Sequence, residues 1–537
     1  MKKRFLAIIL AMALCLALIP MSAFAADAHV SLSAIKYEVT KENTVTITDC
    51  AEGARGTLEI PATIDNLPVT KIGKNAFWDC SQITSVTFPT SITEIGDCAF
   101  WECTSLTGVV IPDTVTKMGY MTFIGCTSLL SASIGKGLKA VPNQAFDSCE
   151  SLQTVILPDG LESIGTGSFQ NCKSLTSIVL PSSLKSIHNL AFARTGLTSV
   201  IIPNRVEELQ YQAFYGCPDL DSASLGSGLK GMGGDVFSHC TALENIVIPD
   251  SVTKLTGSNF ASCTSLKTAT IGGGVENLDD ASFIGCTALE TVIVREGVKV
   301  IGNNTFWDCK NIKTLYLPSS LYDIQKTAFR DATTLTDIYF AGTAYAWGGM
   351  SIGEDNDPVL NATMHYLPFG DVAGSDYFYI PMTWAIDEGI TNGTSETTFS
   401  PGQNCSQAQI LTFLYRAAGS PPVSGGSDYT NSKVEPSKYY YNAMLWADRQ
   451  GVVTDIALDP DADCTRGDVV TYLWRLADKP AASTSVFTDV PASAPYAQAV
   501  AWTVEKGITN GTSATTFSPD QVCTRGQIVT FLYRAYQ

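Results

Sequence analysis

Among the 537 residues, side chains that could do chemistry are few and mostly badly placed for it. His29, His188, His239 and His365 are scattered, and His188 fills a position where other copies of a recurring unit carry glycine. That is a surface or satisfied position rather than a general base. No G-x-S-x-G, H-E-x-x-H or Walker-type loop occurs. Asp459, Asp461 and Asp463 alternate as in a calcium loop. The sixth position lacks glycine, however, and Val470 stands where the bidentate glutamate belongs. Arg466-Gly467-Asp468 spells an integrin tripeptide but lies at a helix start, not a loop tip. No C-x-x-C occurs and no histidine joins the cysteines, so zinc has no ligand set. Catalytic residues, metal and cofactor are therefore not expected.

Binding chemistry has more to stand on. Arg466 and Arg525 each follow a threonine suited to cap a helix, so each lies in a first turn. A cation there opposes the helix dipole, at roughly 0.3–1 kcal/mol. An anion sharing the site would offset this, because free N–H groups at a helix start attract negative charge and the guanidinium fork matches a carboxylate. Arg416, Arg475 and Arg534 come late in their helices, where the dipole favours them and no ligand need be invoked. A second candidate is a strand position filled by small polar or β-branched residues until Tyr316 and Tyr339. A bland row can simply be good strand chemistry. Read functionally, it is a docking face with Tyr316 and Tyr339 as anchors, near Tyr345 and Trp347.

Composition frames these candidates. Hydrophobic residues make up 45% and charged residues 16%, a folded composition. Asp and Glu outnumber Lys and Arg, 52 to 34, and so acidic a chain would repel nucleic acid. Lys2, Lys3 and Arg4, an apolar run over 5–19 and Ala23-Phe24-Ala25 read as a signal peptide over residues 1–25. Cys15 follows Leu14, so lipidation is not expected. No later apolar stretch is long enough to span a membrane. The chain is expected to be exported and retained at the surface non-covalently.

The elements that position the candidates come from two repeats. Phenylalanine recurs at Phe77, Phe100, Phe123, Phe146, Phe169, Phe192, Phe214, Phe237, Phe260, Phe283, Phe306 and Phe329, every 23 residues but for one interval of 22. Cysteine follows three residues after ten of these twelve, as at Cys103 and Cys126. Leu106-x-x-Val109-x-Ile111 is a short strand with one apolar side. One such coil cannot close a core, so each buries its apolar row against the next and the phenylalanines stack into a spine. At about 4.8 Å per coil, twelve coils span on the order of 55 Å. Thr195 and Ala332 replace cysteine in the ladder, so that site wants something small. Buried reduced thiols are the expectation, although stacked neighbours come within disulfide reach by Cα distance.

The pattern L-x-x-V-x-I-P-x-x-V-x-x-I-G-x-x-A-F-x-x-C resembles the BspA-like leucine-rich repeat of bacterial surface proteins, over about residues 30–367. The resemblance implies a β-rich solenoid of about twelve coils, with an N-terminal cap over 26–76, repeats over 77–342 and a C-terminal cap over 343–367.

Beyond residue 368 a second period, of 59 residues, takes over. Cys405-Ser406-Gln407, Cys464-Thr465-Arg466 and Cys523-Thr524-Arg525 each lead into an amphipathic helix through an S/T-x-x-Q capping box, weakened in the middle copy by Asp468. Trp384, Trp446 and Trp502 lie five residues before Gly389, Gly451 and Gly507, which would end an earlier helix. Linkers at 420–427 and 479–485 divide the region into modules over 368–420, 428–479 and 485–537. These modules resemble S-layer homology (SLH) domains through Gly-Ile-Thr-Asn-Gly at 389–393 and 507–511 and through Thr-Arg in the second and third copies. The resemblance implies an all-α, pseudo-threefold unit that binds a secondary cell-wall polysaccharide, often pyruvylated. It places Arg466, Arg525, Trp384, Trp446, Trp502, Gly507 and Gly511 at the polymer. Gln407 replaces the arginine in the first module, and residues 452–455 interrupt the glycine turn of the second, so at least one site is expected to be lost.

The expected function is recognition or adhesion at the surface of a Gram-positive-type bacterium, without catalysis. A structural S-layer component that self-associates through its solenoid is the alternative.

Overall fold

The computed structural model describes residues 29–537 apart from 52, 367–368, 375, 396–397, 424–430, 432, 455–457, 484–486 and 537. The signal-peptide reading lies outside the described residues. The chain divides into two compact units, with the boundary after Tyr366.

The first unit is a β-solenoid of about 14 turns over residues 45–366, the repeats plus their caps. Most coils contribute a strand of three or four residues and a second strand of two. Both kinds form parallel ladders: Ser131 lies opposite Gly108 and Thr154, and Ser163 opposite Ala140 and Ser186. The longest ladder runs through eight strands, from Ser199–Ile201 to Thr363–Tyr366. It begins beyond residues 176–181, which form no strand, in the coil just before the 22-residue one. Inward residues of both ladders belong to one contiguous core from Ile35 to Val359.

All twelve repeat phenylalanines are fully buried. Their rings stack with centroids 4.9–5.7 Å apart and planes within 17° across every successive pair. The short coil does not interrupt the spine: Phe192 and Phe214 stand 5.2 Å apart. A third inter-coil ladder runs along this turn. In one coil the N–H groups of Met121, Phe123 and Gly125 donate to the carbonyls of Asn143, Ala145 and Asp147. The residues two before and two after phenylalanine take left-handed φ, except at Ser258, where Gly257 takes it instead; they include bulky ones such as Met121, Leu190 and His239. A left-handed residue costs roughly 1–2 kcal/mol unless it is glycine. The repeated bond to the next coil offsets that cost.

The N-terminal cap is an antiparallel hairpin, Ile35–Val39 with Val45–Cys50, laid on the first parallel strands. The C-terminal cap carries α1 (Ala344–Gly348), capped by the Thr343 hydroxyl, and α2 (Asp357–Asn361). Trp347 closes the core edge-on against Phe340 at 5.3 Å.

The second unit has six helices among its described residues: α3 (Tyr379–Asp387), α4 (Gln407–Ala417), α5 (Tyr441–Arg449), α6 (Arg466–Leu476), α7 (Ala497–Glu505) and α8 (Arg525–Tyr536). The capping boxes of α4 and α6 are closed, so Asp468 serves as well as glutamine. The modules do not pack as isolated units. Helix α4 packs on α5, α6 on α7, and α8 returns to α3. The second helix of each module therefore lies against the first helix of the next, in a closed ring. The chain seals the ring at its centre: Cys464 N donates to Cys405 O, Cys523 N to Cys464 O and Cys405 N to Cys523 O, at 2.9–3.0 Å.

Candidate functional site

Thr465 holds the start of α6, and this places Arg466 across the boundary to the third module. Its Nε donates to Phe517 O at 2.9 Å and its Nη2 to Thr509 Oγ1 at 3.4 Å. The guanidinium lies over the rings of Phe517 and Phe531, 4.8 and 5.3 Å from their centroids. Arg525 repeats this toward the first module, with Nε to Phe399 O at 2.8 Å, Nη2 to Thr391 Oγ1 at 3.0 Å and the rings of Phe399 and Phe413 beneath. Both arginines are 4% exposed. Burial pushes both guanidinium pKa values down, yet arginine stays charged. Among the described residues neither has an ion-pair partner. The nearby carboxylate of Asp489 is engaged instead with the N–H groups of Phe517 and Ser518.

One expectation is corrected here. The first amides of these helices are not free to hold an anion. Arg466 N donates to Gln521 O and Gly467 N to Pro519 O, while Arg525 N donates to Gln403 O and Gly526 N to Pro401 O. The neighbouring module's turn has taken them.

Arg466 forms one wall of an open cleft of about 420 Å³ to which all three modules contribute. Tyr377 comes from the first module, Arg466 from the second, and Asn510, Gly511, Gln527 and Arg534 from the third. Among the described residues no carboxylate lines it. Arg534, late in its helix, also reaches the cleft and donates to Ile508 O at 3.3 Å. Tyr377 is 63% exposed at the mouth. Gly511 has φ +82°, and a Cβ there would meet the Phe487 ring at 2.6 Å, so the turn beside Arg466 admits only glycine.

The parts recur around Arg525. Gly393 takes the same φ with the same conflict against Phe369, Arg416 donates to Ile390 O, and Tyr439 is 65% exposed. At the third position they recur only in part: Arg475 donates to Val452 O at 2.7 Å, but the helix-start arginine and the exposed tyrosine are replaced. Gln407 is buried, donates to Asp468 Oδ2 at 3.0 Å and accepts from the Tyr472 hydroxyl at 2.6 Å. Pro495 stands where the other copies have Tyr377 and Tyr439. Residues 455–457 of the interrupted turn lie outside the described residues.

The remaining sequence candidates sit elsewhere. Trp384 packs edge-on against Tyr533, joining α3 to α8, and buried Trp446 packs against Tyr415, joining α5 to α4. Trp502 is half-buried on α7. Gly507 ends α7 at φ +73° with no atom near its missing Cβ, so it serves the turn rather than the cleft.

On the solenoid, Tyr316 is 9% exposed, not the exposed anchor expected. It stacks on half-buried Tyr339 at 4.9 Å, and His365 continues the stack at 4.5 Å, its Nε2 2.8 Å from Asp337 Oδ1. The ring faces cover one another and leave little for a ligand. The exposed apolar side chains of this strand face lie earlier, at Val110, Ile156, Val179, Ile201 and Val247. Sequence reading passed over them because β-branched residues are ordinary in strands.

Comparison with known proteins accords with these geometries. The BspA type leucine rich repeat region matches in six copies over 58–172, 139–267 and 230–350, and the S-layer homology domain matches over 368–411 and 486–529. A leucine rich cell surface protein from Faecalibacterium prausnitzii is 27% identical, covering 62% of this chain and 98% of its own, with TM-score 0.40. A leucine-rich repeat protein from Bacteroides ovatus is 22% identical, covering 64% of this chain and all of its own, with TM-score 0.45. The leucine rich repeat protein of T. pallidum is 28% identical over 40% of this chain and 91% of its own, with TM-score 0.30. No curated protein matches the chain.

Proposed function

We propose, for a chain that belongs to the BspA-type leucine-rich repeat family, that its solenoid recognises or adheres to a partner while its C-terminal clefts grip an acidic cell-wall polysaccharide. Repeats of this type joined to SLH domains mark a cell-surface, wall-anchored protein. Both are binding or structural domains, and no reaction is assigned to them. The observation that carries the reading is Arg466: a buried cation without an ion pair, on an open cleft lined by Arg534 and neutral donors and, among the described residues, by no carboxylate. Burying a charge is costly unless something compensates it. A polymer carboxylate, such as a pyruvate ketal on a wall sugar, would pair with the guanidinium fork, and Asn510 and Gln527 can bond sugar hydroxyls. The wall of a Gram-positive-type bacterium supplies such polymers. On the solenoid, the row from Val110 to Val247 is the better candidate for contact with a protein or glycan partner, since Tyr316 and Tyr339 cover one another.

The test is sedimentation of the full chain with purified wall polymer, before and after mild acid removal of the ketal groups. Binding to the intact polymer alone is expected. Equal sedimentation with both would remove the acidic group from the reading. A purified chain that assembles into sheets without polymer would favour the self-associating alternative.

A further inference from the structure

Asparagine precedes glycine at just two places in the chain, Asn392-Gly393 and Asn510-Gly511, and both lie in the turns beside the buried arginines. Asn510 is exposed and lines the cleft with Arg466. Asn392 is exposed in the matching turn beside Arg525. Each turn is tied to its arginine by the threonine before the asparagine. Thr509 Oγ1 accepts from Arg466 Nη2 at 3.4 Å and from Gly511 N at 3.3 Å, and Thr391 Oγ1 accepts from Arg525 Nη2 at 3.0 Å. The rings of Phe487 and Phe369 exclude a Cβ at positions 511 and 393. The fold therefore requires, after each asparagine, the residue that shields its backbone nitrogen least. Among the described residues the Gly511 N–H has no partner other than Thr509, so no helix or ladder holds it.

We propose that Asn510 is a deamidation site, copied at Asn392, and that its conversion to an acid loosens the hold of the C-terminal unit on the wall polymer, so that the anchor releases with age. This rests on the wall-binding reading above. Asparagine is a thermolabile residue, and here its reaction partner is its covalent neighbour. The Gly511 nitrogen attacks the side-chain carbonyl carbon of Asn510. A new C–N bond forms, the bond to the side-chain amide nitrogen breaks, and that nitrogen leaves as ammonia with the proton from Gly511. Water then opens the five-membered imide at either carbonyl. One opening gives aspartate at position 510. The other gives isoaspartate, with the main chain routed through the side-chain carbonyl and one carbon longer. Either way, one amide and one water become a carboxylate and an ammonium ion, and water is the one co-reactant. The new charge stands on a cleft wall that has no carboxylate among the described residues. There it attracts the Arg466 guanidinium and repels an anionic polymer. Isoaspartate also shifts the turn that presents Thr509 to Arg466.

The test ages the full folded chain in mildly alkaline buffer, maps its peptides for aspartate and isoaspartate at each asparagine, and measures sedimentation with purified wall polymer against a fresh sample. The expected result is conversion at Asn510 and Asn392 ahead of every other asparagine, with several-fold weaker sedimentation. Asn510→Gln combined with Asn392→Gln, read against its own fresh sample, should lose nothing on ageing. Asn510→Asp combined with Asn392→Asp should sediment weakly when fresh. A folded chain that keeps both amides for a time in which the urea-unfolded chain loses them would overturn the site. Undiminished sedimentation by chain mapped as converted would overturn the release. Fresh wild type that fails to sediment would overturn the wall reading itself, a result independent of the peptide map.

Discussion

Tyr472 donates a 2.6 Å hydrogen bond to Gln407 at the place in the ring where Arg466 lies over Phe531 and Arg525 over Phe413. Two residues from different modules have changed together. Arginine on phenylalanine is a cation on a ring face; glutamine with tyrosine is a neutral hydrogen bond, and Asp468 adds a negative charge beside it. The ring therefore has two positions with a buried helix-start arginine and one where Gln407 and Asp468 stand in its place, beside Arg475.

The consequence for Gln407→Ala is a split between stability and binding. The substitution removes the carbonyl acceptor of the Tyr472 hydroxyl and a donor from Asp468, at about 1–3 kcal/mol. Wall-polymer binding should not change, since this position has no arginine to lose. Urea unfolding and calorimetric titration on the same samples would check both halves. A drop in the number of polymer sites without loss of stability would contradict this account.

Arg466→Ala combined with Arg525→Ala should abolish sedimentation with wall polymer. Each guanidinium also joins two modules, so a folded ring must be verified by circular dichroism before the result is read. Arg534→Gln is the milder probe, because Arg534 shares the cleft with Arg466 but does not bridge modules through Phe517. It should weaken binding, and Arg416→Gln should do the same at the corresponding position beside Arg525. Raising salt should weaken all of these interactions. Full polymer binding by folded Arg466→Ala with Arg525→Ala would show that the clefts are not the wall site.

Phe169→Ala removes a fully buried ring with stacked neighbours on both sides at 5.5 and 5.4 Å. A loss of about 3–5 kcal/mol is expected. Phe329 stacks on one repeat phenylalanine only, Phe306 at 5.0 Å. Each coil contacts mainly its neighbours, so Phe329→Ala should disturb fewer coils and shift the unfolding transition less. Identical transitions for the two variants, followed by circular dichroism in urea, would contradict nearest-neighbour coupling.

The spine and the first strand ladder were legible in the sequence because every coil buries the same positions, and twelve repetitions average out the exceptions; the two-residue second strand was not read. The left-handed turn positions were not. Met121, Leu190 and His239 carry no signal for left-handed φ; the ladder of backbone bonds to the next coil imposes it. At the C-terminal unit the helix starts and their arginines were legible from capping residues. The ring was not, since Arg525 meets Thr391 and Phe399 from far along the chain. Module boundaries read from a period suggest separate packing units, whereas here each module buries its second helix on its neighbour. The misplacement of Tyr316 has a similar cause. Exposure at a strand position depends on what the next coil stacks above it, and two aromatic residues in successive rungs cover each other.

Glu94 supplies a pH prediction. It lies directly across from Lys71 in one coil and Lys117 in the next, with ion pairs of 3.1 and 2.8 Å. Burial alone would raise its carboxyl pKa, but the two ammonium groups outweigh that and hold it below the ordinary range. A carboxylate with a depressed folded pKa contributes stability that is fully present above the unfolded value of about 4.3. That contribution is lost as pH falls through the folded pKa, when the proton neutralises Glu94 and leaves two lysines facing an uncharged acid. The three residues are partly exposed, so the contribution is small and screened by salt. The urea midpoint of the solenoid should therefore hold steady from about pH 7 to 5 and decline below about 4.3. In Glu94→Gln the midpoint at neutral pH should be lower and the acid decline shallower, with the two proteins converging at low pH. Parallel curves across the whole range would show that the Lys71–Glu94–Lys117 rung adds nothing to the stability of the first coils.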